Sequence, residues 1–163
     1  DRITGKRFYG PTDTDGSHTA IENRLEKSRV FTNYPKKGPC PSGQIAGCTS
    51  LTNLGLMAIT RLEKYAKDCG CSITITGGTE EGHQTHGGFE NVVDIQSKTK
   101  DSKGKIIPTP FTTFLGTEFV KKTTTFRTTP SGNSRWDFSN GDIVVLEDKG
   151  TDNEHWHLMF KSK

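Results

Sequence analysis

No stretch of this sequence stays apolar over the ~18–20 residues that a membrane-spanning helix needs, so no span is expected. Runs of five or more like charges are also missing, and 22 basic against 19 acidic residues leave a net charge of only +3. That balance points away from nucleic acid as a partner. Asp1-Arg2-Ile3-Thr4-Gly5 has neither the basic start nor the apolar stretch of a signal peptide, so a secreted or periplasmic protein would be present here in its mature form. Core-forming residues are scarce. Val, Ile, Leu and Phe together number 33 of 163, close to the range in which chains stay disordered. Against disorder stand the low net charge and nine Phe, three Tyr and two Trp, which bury large areas each. The expectation is a monomeric, loop-rich single domain over 1–163 with a thin core, residues 1–16 forming an N-terminal arm.

Cysteine is absent outside one stretch, where Cys40, Cys48, Cys69 and Cys71 lie together. Neither spacing matches the paired Cys-x-x-Cys knuckles of a structural zinc site, which favours two disulfides and an oxidising compartment. Joining Cys69 to Cys71 across one residue needs unusual geometry, so Cys40 and Cys48 are each expected to bond one of them. Which bonds which stays open.

Ser17 can cap a short helix with Ile21 and Leu25 on one face. Residues 32–50, with their prolines and glycines, read as a long loop. A longer helix is expected from Thr49 or Ser50 to about Asp68, where Leu51, Leu54, Ala58, Leu62 and Tyr65 repeat at helical spacing and Gly70 stops it. Ser72–Thr76 alternates as a strand, Asn91–Ile95 is a second, and 142–146 and 155–160 are the last two, joined by the polar hairpin 147–153. Residues 97–105 read as a charged loop, and 106–129 as Thr- and Phe-rich β structure broken by turns. Helices first and strands later give an α+β fold, with helices on a small, mainly antiparallel sheet stapled by disulfides.

Four of the five histidines fall in two windows, His83 with His86 and His155 with His157. The first window runs on to Asp94, and the second follows Glu154. Two neutral imidazoles and one carboxylate give three zinc ligands and leave a fourth position for water. His86, Asp94 and His157 are the candidate ligands. An unligated carboxylate nearby, Glu154, can act as general base. Strict alternation on the last strand puts Glu154 on the face opposite His155 and His157, so the strand must begin after it or twist there.

These residues resemble a group of zinc peptidases that includes D-alanyl-D-alanine carboxypeptidases, D-Ala-D-Ala dipeptidases and phage endolysins. That group's pattern is roughly Ser-x-His-x-x-Gly-x-Ala-x-Asp, followed far downstream by Glu-x-Trp-His. The matching positions here are His86, Asp94, Glu154, Trp156 and His157, and the helix and strand within 50–77 sit where the group has its own. The resemblance implies Zn2+ as cofactor and cleavage of peptidoglycan peptides next to a D-amino acid. Three departures stand out. His86 and Asp94 are eight residues apart where the group has seven, and Gln84 replaces its Ser. Gly77-Gly78-Thr79-Glu80 replaces Ser-Gly-Tyr-Arg, so the group's substrate-binding Arg is missing; Arg127, Arg135 or His83 are candidates to replace it. His83 and His155 otherwise read as supporting residues beside the metal. Two further readings compete: a metal-free secreted ribonuclease using His and Glu as acid and base, and a zinc-binding recognition domain without catalysis.

Overall fold

The computed structural model describes residues 17–33, 49–52, 54–78 and 91–161. The N-terminal arm 1–16, Cys40, Cys48, His83 and His86 lie outside the described residues. Along the chain run α1 (Ser17–Glu26), β1 (Val30–Thr32), α2 (Leu56–Cys69), β2 (Ile73–Gly77), β3 (Val92–Gln96), β4 (Lys98–Lys100) and β5 (Ile106–Pro108). Then come α3 (Pro110–Leu115), α4 (Glu118–Thr123), β6 (Thr124–Thr128), β7 (Ser134–Phe138), β8 (Ile143–Glu147) and β9 (His155–Met159). Among the described residues seven strands form one sheet in the order β1-β2-β3-β9-β8-β7-β6. Only β1 and β2 run parallel; the other pairings are antiparallel, which makes the protein α+β.

One face of the sheet is the core. Val93 and Ile95, Val144 and Leu146, and Trp156, Leu158 and Phe160 pack there with Ala58, Ile59, Leu62, Tyr65 and Ala66 of α2. A fully buried Asp142, just before β8, ties these layers together. It accepts hydrogen bonds from Arg61 and Tyr65 of α2 and from the backbone N–H of Lys161. Because side chains alternate across a strand, the remaining positions of β3, β8 and β9 share the opposite face.

Two helical expectations needed correction. α2 begins at Leu56, after Gly55, instead of at Thr49 or Ser50. Leu51 and Leu54 are buried as their spacing suggests, but from the irregular segment before the helix. There the Leu51 N–H bonds His18 Nδ1 and the Thr52 N–H bonds Ser50 Oγ, local partners that compete with a helical turn. Residues 110–123 form two short helices where β structure was expected. Thr109 accepts from the Thr112 N–H, Thr117 from the Val120 N–H, and Pro110 takes the first turn, where its missing N–H costs nothing.

The expected disulfide pairing is also overturned. Cys69 bonds Cys71, with Cα atoms 5.1 Å apart, and neither is left for Cys40 or Cys48. An extended chain would hold such positions about 6.6 Å apart. Here Gly70 adopts φ 65°, its N–H capping the last turn of α2 at Ala66 and Lys67, and so folds Cys71 back beside Cys69. Closing so short a loop constrains the unfolded chain by only about 1.5–2 kcal/mol.

Candidate metal centre

On the face away from the core, strand register sets one row of residues across five adjoining strands. Gly77 pairs with Asp94, Asp94 with His157, His157 with Val145, and Val145 with Arg135. Arg127 pairs with Arg135 and extends the row to the edge strand β6. The row beside it joins Gln96, His155 and Glu147. Two candidate ligands distant in sequence, Asp94 and His157, therefore stand side by side.

His157 Nδ1 lies 3.1 Å from Asp94 Oδ1 and 3.7 Å from Glu147 Oε1. Asp94, Glu147 and His157 each offer a ligand atom, all within 4.8 Å of one another, so these three could hold a metal ion. Ligand atoms bound at about 2.0–2.1 Å in a tetrahedron are ~3.3 Å apart, between the two distances measured from Nδ1. One imidazole nitrogen and two carboxylate oxygens also suit zinc's borderline preference. His157 is almost fully buried, whereas both carboxylates are partly open to solvent. Gly77 makes room for this arrangement. A Cβ there would stand 2.8 Å from Asp94 Oδ2, so any larger residue pushes the carboxylate off β2.

Glu147 is the member that sequence reasoning missed, having been assigned to the hairpin loop. Its signal lies in period-two alternation on β8. Val145 and Glu147 share a face, and folding the expected hairpin brings that face against His155 and His157.

His155 is built into the site by both ring nitrogens. Nδ1 donates to the Asn153 carbonyl at 2.7 Å and Nε2 to Glu147 Oε1 at 3.0 Å. Both partners only accept, so the ring carries both protons and offers no nitrogen to an ion. Burial opposes that charge, but the Glu147 hydrogen bond, the nearby Asp94 and the Asn153 carbonyl push the His155 pKa up to about 9. In return, chiefly through the His155 hydrogen bond, Glu147 is held below the usual carboxylate range. A histidine pKa raised by folding contributes stability fully present below about pH 6.5 and lost as pH rises through about 9. In metal-free protein, NMR titration is expected to show the His155 ring titrating near the upper value and melting temperature falling across that window. A ring that titrates near 6.5 would refute it.

Glu154 immediately precedes β9, which begins at His155, so it escapes the alternation that would have turned it into the core. Its Oε2 accepts from Ser97 Oγ at 3.0 Å and lies 3.9 Å from Lys98 Nζ. Glu154, Asp94 and His155 line one cavity of about 460 Å³, together with Asn33, Thr76 and Gln96 among others. Arg135 and Arg127 share this face with the cluster, two and three strand spacings from His157, or about 10 and 14 Å respectively. Asp137 holds both: Arg135 donates to its Oδ1 at 2.9 and 2.7 Å, and Arg127 Nε lies 3.1 Å from its Oδ2. Comparison with protein-family models, curated proteins and solved structures finds no match.

Proposed function

We propose that this chain is a zinc-dependent peptidase that hydrolyses peptidoglycan peptides next to a D-amino acid. The observation that carries the reading is the pairing of Asp94 with His157. Two sequence motifs 63 residues apart supply one residue each, and the two side chains meet at 3.1 Å on the face of the sheet away from the core. Asp94 and His157 would hold the ion, with His86 from the first histidine window as third ligand. Bound there, zinc lowers the pKa of a water towards ~7 and polarises a carbonyl.

The chain's own residues do the rest. Glu154 takes a proton from the attacking water and passes it to the leaving amine. Its place in the same cavity as Asp94 supports that role. His155 holds Glu147 beside the ligand pair and fixes the carboxylate's orientation. Arg135 and Arg127 put positive charge on the same face, suited to a substrate carboxylate. The disulfide supports a secreted or periplasmic setting. A recognition domain without catalysis is the second reading, favoured by Asp137 already occupying both arginines.

The test is elemental analysis of protein purified without chelator, beside mass spectrometry of muropeptide digests. One zinc per chain and release of a D-amino acid or a shortened stem peptide is the expected result. His86→Ala is expected to lose the metal and Glu147→Gln to keep it; the reverse pattern would make Glu147 the third ligand. Zinc without hydrolysis would favour the recognition domain. A metal-free protein would sink the zinc reading and revive the ribonuclease.

A further inference from the structure

The segment from Asp94 to Lys98 serves the site twice. Asp94 joins the candidate ligands on β3, and a few residues on, between β3 and β4, Ser97 reaches Glu154. Ser97 is almost wholly buried, at 2% exposure. Its hydroxyl lies 3.0 Å from Glu154 Oε2 and 3.2 Å from the Glu154 carbonyl, while Glu154 Oε1 has no hydrogen bond among the described residues. The Ser97 backbone is itself anchored. Its carbonyl accepts from the Thr109 N–H at 3.0 Å and from Thr112 Oγ1 at 2.6 Å. Thr112 Oγ1 in turn accepts from Trp156 Nε1 at 2.8 Å, and Trp156 is a core residue of β9. A continuous chain of contacts therefore runs from the core through α3 to one oxygen of Glu154.

We infer that Ser97 is a positioning residue for Glu154, donating to Oε2 so that Oε1 is presented to the cavity beside Asp94. The inference rests on the peptidase reading for the word base, but the contact itself does not. A buried serine that merely needed a partner could be satisfied by the Glu154 carbonyl alone. The side-chain contact is the part that positions.

The experiment compares zinc-loaded wild type, Ser97→Ala, Ser97→Thr, Glu154→Gln and the double variant Ser97→Ala/Glu154→Gln in muropeptide hydrolysis. Ser97→Ala is expected to lower kcat by about 10–100-fold with KM changed less than about threefold, because misplacing a catalytic group by an ångström is that costly. Ser97→Thr, which keeps the hydroxyl, should recover most of the loss. On top of Glu154→Gln, Ser97→Ala should cost less than about twofold, since residues acting through one group are not additive. A kcat for Ser97→Ala within about twofold of wild type, or a further loss of about tenfold in the double variant, would overturn the inference. A readout independent of metal and activity is the 13C carboxyl resonance of Glu154 in metal-free protein, assigned by its absence from Glu154→Gln. It should move in Ser97→Ala and stay near its wild-type position in Ser97→Thr; a resonance unmoved in Ser97→Ala also overturns the inference. A wild type that binds zinc and cleaves no muropeptide defeats the peptidase reading by itself, and the carboxyl resonance then upholds or overturns the Ser97–Glu154 contact.

Discussion

Replacing His157 with alanine is expected to abolish zinc binding and hydrolysis together. The imidazole is 2% exposed, on a central strand, and its Nδ1 lies 3.1 Å from Asp94 Oδ1 and 3.7 Å from Glu147 Oε1. Without it, the described part of the cluster is two carboxylates, a donor set better suited to hard cations than to zinc. Zinc affinity should drop by far more than the roughly 10–100-fold typical of losing an orienting partner. Truncation also leaves a gap against the sheet, so some loss of melting temperature is expected. His157→Gln, which fills more of the space, separates the two effects by recovering stability without recovering zinc. Chelator competition and thermal melts on both variants provide the check. Zinc retained at one per chain in His157→Ala would remove this residue from the site.

Much of this architecture is legible in the residues, and the failures share a physical cause. Strands β2, β3, β8 and β9 follow from alternation and β-branched residues, and α2 ends where Gly70 stops it. Asp94 and His157 were identified from motif spacing, and register then made them neighbours. What alternation and periodicity report is burial, and burial does not by itself tell a helix from a loop. Leu51 and Leu54 kept their place in the core while His18 and Ser50 took the backbone hydrogen bonds a helix would have used. α3 and α4 were hidden because threonine favours strands in general yet caps helices when it stands just before one. The disulfide was missed because Gly70 was read as a helix stop without following the turn it makes. Glu147 was missed because its value depends on a partner strand, and pairing is a long-range fact that a local pattern carries only through the hairpin.

Changing Glu154 to glutamine should separate catalysis from metal binding. The substitution preserves the side chain's length, and its amide oxygen can still accept from Ser97 Oγ, now at 3.0 Å from Oε2. What it removes is the ability to take a proton at neutral pH. Glu154 is not one of the three clustered donors among the described residues, so zinc content should stay near one per chain. Melting temperature should move little, because Lys98 Nζ, 3.9 Å away, also donates to the Thr151 carbonyl at 2.7 Å and is not stranded. Hydrolysis of muropeptides should nevertheless fall by roughly 10²–10⁴, the usual contribution of a positioned acid/base group. The loss should sit in kcat with KM nearly unchanged, because the group acts in the transition state more than in binding. His157→Ala loses metal and turnover in parallel, so the pair of variants divides the site into an ion-holding part and a proton-moving part. Activity within about threefold of wild type in Glu154→Gln would pass the base's role to another carboxylate, and among the described residues Glu147 is the nearest to His157 after Asp94. Loss of zinc in Glu154→Gln would instead make Glu154 a ligand.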